Sequence, residues 1–195
     1  TMTDTLFDVS NQVVLVSGGT RGIGRAIAEG FCERGATVVV TGREAAVAET
    51  AAKEIAAGQG KCVGLGCDVG RPEQIQPLVD RIVKEHGRID TPLNVAGVNR
   101  RKRSETVTEE DFDFIMDTNF KGAFLLSQAV GKQMLERGKG NQINIVSLNN
   151  FAPLPWVLPY AKSKAAMGHM TRTLATDLGP RGIRVNAIAP GFILT

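Results

Sequence analysis

Tyr160 and Lys164 stand four positions apart, and Ser147 precedes them on the same stretch of chain. On a helix, residues i and i+4 share a face, so the Lys164 ammonium would lie beside the Tyr160 phenol and favour its phenolate. A free tyrosine has a pKa of about 10, too high for an efficient base near neutrality; a fixed positive charge makes it a usable acid or base. The Ser147 hydroxyl could hold the oxygen on which such a proton is exchanged. A second group of residues offers a ligand rather than chemistry. The loop Ser17-Gly18-Gly19-Thr20-Arg21-Gly22-Ile23-Gly24 follows an apolar run and opens an amphipathic stretch. Glycines let the backbone approach a pyrophosphate closely, and the helix that follows directs free amides and its positive dipole end at the charge.

Strand, glycine loop, helix and second strand occur in the order that a nucleotide-binding unit requires. The second strand ends in Val38-Val39-Val40-Thr41-Gly42-Arg43, where an acidic residue would bind the ribose hydroxyls of NAD. None stands at that tip. Arg43, aided by Arg21 of the glycine loop, can instead form charge-assisted hydrogen bonds to a 2′-phosphate. NADP(H) is therefore the expected cofactor, with NAD(H) as the alternative that Glu44, beside Arg43, keeps open.

Elements of two kinds must position these groups. Short β-branched runs at 13–16, 37–40, 62–65, 93–96, 143–146 and 183–188 alternate with amphipathic stretches at 22–34, 45–57, 72–86, 109–137 and 160–178. Such alternation predicts an α/β fold: a doubly wound parallel sheet of the Rossmann kind, three layers α/β/α, in a single domain over 1–195. Pro72 suits a helix start, and Thr108 with Asp111 makes a capping-box-like opening for 109–137, which should contain an irregularity. Gly35, Gly58, Gly87 and Gly138 follow predicted helix ends, where a left-handed residue is easily accommodated. Pro92 cannot donate a ladder hydrogen bond, so the fourth strand is expected to begin at Leu93. The chain stops at Thr195, just after the sixth strand and a Pro190-Gly191 turn, so the sheet reads as lacking a last strand and helix.

Composition excludes several functions. The chain has 195 residues, 43% hydrophobic and 22% charged, with a net charge of +3, the profile of an ordinary globular protein. The dense basic run Arg100-Arg101-Lys102-Arg103 lacks interleaved aromatics, so no nucleic-acid partner is expected. Cys32, Cys62 and Cys67 form no even framework and have no histidine at zinc-ligand spacing, so neither disulfides nor a metal is expected. Buried small cysteines, and a surface or capping role for His169, explain these residues without a function. With no signal-like start and no apolar run near the roughly 20 residues that span a bilayer, a cytoplasmic protein without membrane partners is expected.

With loop, serine, tyrosine and lysine assembled, the chain resembles the short-chain dehydrogenase/reductase family over almost everything from Gln12 to Thr195. The resemblance implies an NAD(P)-dependent oxidoreductase acting on a CH–OH donor, with Ser147, Tyr160, Lys164 and Asn119 as the catalytic group. Tyr160 would exchange a proton with the substrate oxygen, Ser147 would hold that oxygen, Lys164 would bind the nicotinamide ribose, and Asn119 would hold a water linking Lys164 to solvent. It further implies cofactor contacts by the glycine loop, by Asp68-Val69 around adenine, and by the segment Asn94-Val95-Ala96-Gly97, in which Val95 replaces a usual Asn and carries no assignment. Pro190, Gly191, Ile193 and Thr195 would meet the nicotinamide carboxamide. Lys162 takes a place usually filled by a small or neutral residue and should face solvent. Family members are commonly homo-tetramers or dimers, and this assembly is expected here.

Substrate contacts are expected from 98–104 and 148–159. Arg100 could recruit an anion, Asn149 could bind hydroxyls and Trp156 could form an apolar wall; Pro153, Pro155 and Pro159 would stiffen the second segment. The Asn-Arg-Arg-Lys wording resembles sugar-acid dehydrogenases of the gluconate type. A small polar or anionic hydroxy or keto compound, such as a sugar acid, is the expected substrate. Two alternatives stay open: a 3-oxoacyl carrier-protein reductase, whose basic loop would meet the acidic carrier, and a nucleotide-binding homologue without turnover.

Overall fold

The computed structural model describes residues 8–57 and 60–194. Its frame is six parallel strands: β1 (Val13–Ser17), β2 (Thr37–Gly42), β3 (Lys61–Gly66), β4 (Thr91–Asn94), β5 (Gly140–Ile145) and β6 (Ile183–Ile188), in the order β3-β2-β1-β4-β5-β6. The order reverses between β1 and β4, the place where an open α/β sheet leaves a crevice beyond the strands' carboxyl ends. β1 is buried along its whole length, and its side chains alternate: Val13 and Leu15 enter one core, Val14 and Val16 the other. Leu15, Val14 and Val16 are fully buried, each burial stabilising by about 1.5–3 kcal/mol.

α1 (Gly22–Glu33) and α2 (Ala45–Ala56) cover one face through Ala28, Cys32, Ala52 and Ile55. The other face is covered by α3 (Ile75–His86), α5 (Gly122–Arg137) and α6 (Leu158–Leu178), with Ile82, Leu126 and Met134 at the centre. Thr108 and Asp111 form the full capping box at the start of α4 (Glu109–Met116). The expected irregularity in 109–137 is a π turn, Asp117–Lys121, joining α4 to α5. Gly35, Gly87 and Gly138 all have positive φ, as their places after helices require. Gly58 lies outside the described residues.

Several boundaries differ from expectation, among them β5, which begins at Gly140, three residues before the expected 143. Pro72 opens a short 3₁₀ turn, Pro72–Gln74, and the α-helix begins only at Ile75. Pro159 sits in the first turn of α6, where a missing N–H costs nothing, and so belongs to the helix rather than the preceding loop. The fourth strand runs over Thr91–Asn94, not Leu93 to Ala96. Pro92 is tolerated because it pairs only with Leu15 of β1, while pairing with β5 begins at Leu93. Val95 and Ala96 have already left the strand, and both their N–H groups donate to Ser17 O.

Candidate active site

A cleft of about 1170 Å³ opens beyond the carboxyl ends of the strands, at the crossover between β1 and β4. One end is the glycine loop: Ser17, Gly18, Thr20, Arg21, Gly22, Ile23 and Gly24 all line it. The loop closes on itself so tightly that side chains are excluded. A Cβ on Gly24 would lie 2.2 Å from Gly18 O, and one on Gly18, whose φ is +77°, would lie 2.7 Å from Ala96 Cα. Gly18 and Gly19 both donate to Thr41 O at 3.1 Å, fixing the loop against β2. The outcome is a bare backbone cradle at the start of α1, shaped for a pyrophosphate. These residues fit a dinucleotide.

Arg43 and Arg21 are exposed on the cleft wall, and Glu44 shares that wall. Arg71 lines it too, with its Nε 3.9 Å from Asp68 Oδ2. Sequence reasoning passed over Arg71 because it belongs to no motif; only the fold brings the loop after β3 beside the tip of β2. Asp68 and Val69 line the same region, and Asp68 Oδ1 accepts from Gly70 N at 3.0 Å.

At the other end the cleft is lined by Ser147, Tyr160, Lys164, Ala96, Gly97, Pro190, Gly191 and Ile193. Ser147 follows β5, while Tyr160 and Lys164 come from the first turns of α6, whose entry is set by buried Val157 and Pro159. Lys164 Nζ is 6.0 Å from the Tyr160 ring centroid and donates to Ile145 O at 2.7 Å. Lys164 is 3% exposed, and burial pushes its pKa down to about 8. The ammonium therefore remains mostly charged at neutral pH while being poorly solvated, which strengthens its field on nearby groups. Thr195 lies outside the described residues. Lys162 is exposed, off the face shared by Tyr160 and Lys164.

Two of the singled-out asparagines lie behind the cleft wall. Asn119, in the π turn, is fully buried. Its Oδ1 accepts from Val98 N at 2.7 Å, and its Nδ2 donates to Val98 O at 2.9 Å and to Ser163 Oγ at 3.0 Å. It thus clamps the loop that carries Gly97, where a Cβ would lie 3.5 Å from Lys164 Nζ. Asn94 donates to Ser127 Oγ and Asn144 Oδ1, and Asn144 in turn donates to Thr171 Oγ1. This buried polar chain ties β4 and β5 to α5 and α6 and uses the Asn94 Nδ2 donor, while Asn94 Oδ1 has no partner among the described residues.

The three residues singled out for substrate do not line the cleft either. Arg100 donates to Asp111 Oδ1 at 3.0 Å and stacks on the Phe114 ring at 4.2 Å, while Lys102 pairs with Asp111 Oδ2. Buried Asp111 thus engages two of the four cations of the basic run with a single negative charge, and Lys102 and Arg100 hold its carboxyl well below the usual range. Trp156 is exposed, with φ at +67°, and Arg101 stands 6.0 Å from its ring. Asn149 turns its amide to Ser147. From the expected segment 98–104, Val98 and Asn99 line the cleft, and Phe114 of α4, which was not singled out, joins them.

Two cysteines are disfavoured as thiolates. Burial pushes the Cys62 thiol up to about 12 and that of Cys67 to about 11. Among the described residues no cluster of histidine, cysteine or carboxylate side chains could hold a metal, and no helix is long and apolar enough to cross a membrane.

Residues 12–195 match the family model described as short chain dehydrogenase. Gluconate 5-dehydrogenase of Gluconobacter oxydans (strain 621H) is 35% identical over 190 residues, 97% of this chain and 74% of that protein. An NAD-dependent glycerol dehydrogenase of Listeria innocua serovar 6a is 36% identical over 192 residues, 98% of this chain and 74% of that protein. Among solved structures, a gluconate 5-dehydrogenase from Burkholderia cenocepacia J2315 in complex with NADP and tartrate superposes with a TM-score of 0.93 at 32% identity, covering 97% of this chain and 74% of that one. Fold, cleft and these relationships together make the chain a member of the short-chain dehydrogenase family, an NAD(P)-dependent oxidoreductase that works between alcohols and carbonyls.

Proposed function

We propose that this protein is an NADP-preferring oxidoreductase that interconverts a secondary alcohol and a ketone on a small, polar, anionic compound such as a sugar acid. The observation that carries the reaction is the meeting of Ser147, Tyr160 and Lys164 at one end of a cleft whose other end is the glycine cradle. When bound, the dinucleotide supplies or receives a hydride at the substrate carbon. The protein's part is proton transfer and charge. Tyr160 gives its proton to the substrate oxygen in reduction and takes it in oxidation, Ser147 donates a hydrogen bond to that oxygen, and the buried Lys164 ammonium stabilises the phenolate. Asn119 keeps the Gly97–Val98 backbone in place beside them.

The NADP preference rests on Arg43 at the tip of β2, where an NAD site places a carboxylate, and on Arg21 of the glycine loop, both exposed on the cleft wall, with Arg71 adding a third cation that lines it. The substrate class rests on the relatives that act on gluconate and on the basic loop. Because Asp111 already engages Arg100 and Lys102, attraction for an anion falls to Arg101 and Arg103, which have no carboxylate partner among the described residues.

The test is hydride transfer followed by absorbance at a fixed cofactor concentration, with gluconate and 5-ketogluconate, a neutral polyol, and a 3-oxoacyl thioester. NADPH-dependent reduction of the keto acid, lost on Tyr160→Phe by about 10²–10⁴-fold with cofactor affinity kept, supports the proposal. Turnover of the thioester alone makes the protein a 3-oxoacyl reductase. Cofactor binding without any transfer makes it a silent homologue.

A further inference from the structure

Asn149 does not face the cleft, yet it touches the proposed chemistry. Its Nδ2 lies 3.2 Å from Ser147 Oγ, and its backbone N–H donates to the same oxygen, also at 3.2 Å. A serine hydroxyl has two acceptor lone pairs and one hydrogen. Two N–H groups converging on Oγ fill both lone pairs and leave the hydroxyl only the role of donor. Water offers little competition, since Ser147 is 7% exposed. The segment around it is also fixed: Val146 N donates to Ile188 O at 2.9 Å, Leu148 N to Pro190 O at 3.0 Å and Asn150 N to Ser147 O at 3.0 Å.

We infer that Asn149 is a positioning residue that makes the Ser147 hydroxyl an obligate donor toward the substrate oxygen. The inference rests on Ser147 holding that oxygen, as proposed above. During reduction the substrate oxygen gains negative charge, and a donor already aimed at it needs no reorganisation as that charge develops. A hydroxyl free to rotate would spend part of its time pointing its hydrogen at other acceptors. The arrangement therefore assists the reaction through the direction of one O–H bond, without any contact between Asn149 and substrate.

Direction is testable because Asp is nearly isosteric with Asn but accepts where Asn donates. In Asn149→Asp the carboxylate should take the Ser147 hydrogen and turn the hydroxyl inward. In Asn149→Ala the backbone donor remains and the hydroxyl is merely freer. With NADPH and 5-ketogluconate, or another compound from the panel above that is turned over, kcat should fall by about 10-fold in the Ala variant and about 100-fold in the Asp variant, with cofactor affinity unchanged. The Asp loss should shrink as pH falls and the carboxyl protonates. Asn149→Ala should add nothing to the loss already caused by Ser147→Ala, because the oxygen it orients is gone.

Equal losses in the Ala and Asp variants, a loss in Asp independent of pH, or full additivity with Ser147→Ala would each overturn the inference and leave Asn149 a structural residue. If Ser147→Ala keeps wild-type turnover, the site reading itself fails and this inference with it, a result distinct from the others. Crystal structures provide a readout independent of turnover. The wild-type protein should show the Asn149 amide within hydrogen-bond reach of Ser147 Oγ, and Asn149→Asp should keep Oγ in place with a carboxylate oxygen within hydrogen-bond reach of it, because only the hydroxyl hydrogen turns. An Asn149 amide directed elsewhere would overturn the proposal.

Discussion

Replacing Lys164 by methionine should exchange activity for a changed dependence of stability on pH. Lys164 is 3% exposed, and its pKa is lowered by burial from 10.5 to about 8. At about 1.36 kcal/mol per pKa unit, keeping the ammonium charged inside the fold costs about 3 kcal/mol. The ammonium donates to Ile145 O at 2.7 Å, and the lowered pKa is the balance that remains with that bond in place. Removing the side chain lifts this penalty, and the amount lifted depends on pH. Below pH 8 the lysine is protonated in both the folded and the unfolded protein, and the full penalty applies. Between pH 8 and 10.5 the unfolded chain holds a proton that the folded one has released, so the wild type gains stability as pH rises; above 10.5 the penalty has gone. Methionine has no such term. Unfolding by urea without cofactor, measured for both proteins from pH 7 to 10.5, should show the wild type gaining about 3 kcal/mol relative to Lys164→Met, equivalent to about 6–12 °C in Tm for a chain of this size. A difference that stays flat over that window, or that moves against the wild type, would refute the claim that burial alone holds this lysine down.

The cofactor site yields two further outcomes. Arg43→Asp should weaken NADPH binding by about 10–100-fold, the loss of one or more charge-assisted bonds, while NADH binding changes by no more than about 3-fold; equal losses in fluorescence titrations would remove the 2′-phosphate assignment. Gly24→Ala would place a methyl 2.2 Å from Gly18 O, a backbone atom that cannot step aside cheaply. It should lower stability by about 1–3 kcal/mol and weaken both cofactors alike, and an alanine variant with wild-type affinity would show that the loop is looser than its contacts indicate.

What was legible in the sequence follows from what is local. The β6 boundaries, the start of α2 at Ala45 and the Thr108–Asp111 box depend on residues adjacent in the chain, and periodicity or a side-chain cap announces them. The glycine loop was legible for the same reason. Pro92 was misjudged because its tolerance depends on which neighbour the strand pairs with at that residue, a property of the sheet and not of the segment. The basic run was legible as charge but not as an ion-pair network. Its main partner, Asp111, was already accounted for as a helix cap, and its carboxylate accepts both from Thr108 N and from Lys102 Nζ. Asn149 was assigned to substrate on chemical type alone, whereas its amide is directed by the short turn after Ser147.

The π turn at Asp117–Lys121 explains how the two ends of the cleft are kept in register. An extra residue in the helical ladder shifts the face that α5 presents relative to α4, and such insertions cost hydrogen-bond geometry, so they persist where something else depends on them. Here the dependants are two loops on different parts of the cleft wall. Asn119, inside the turn, holds both backbone groups of Val98 from the loop after β4. Gly122, which immediately follows it, packs so closely on the loop after β3 that a Cβ would lie 2.4 Å from Val69 O. Straightening the helix would move Asn119 off Val98 or press α5 into Val69. The Val69 loop belongs to the expected adenine end and the Val98 loop to the expected reacting end, so one helical irregularity sets the separation between them. Its sequence signs, a central asparagine and a glycine three residues later, differ little from ordinary helix interior. Only the packing of α4 and α5 against both loops gives that pattern its meaning.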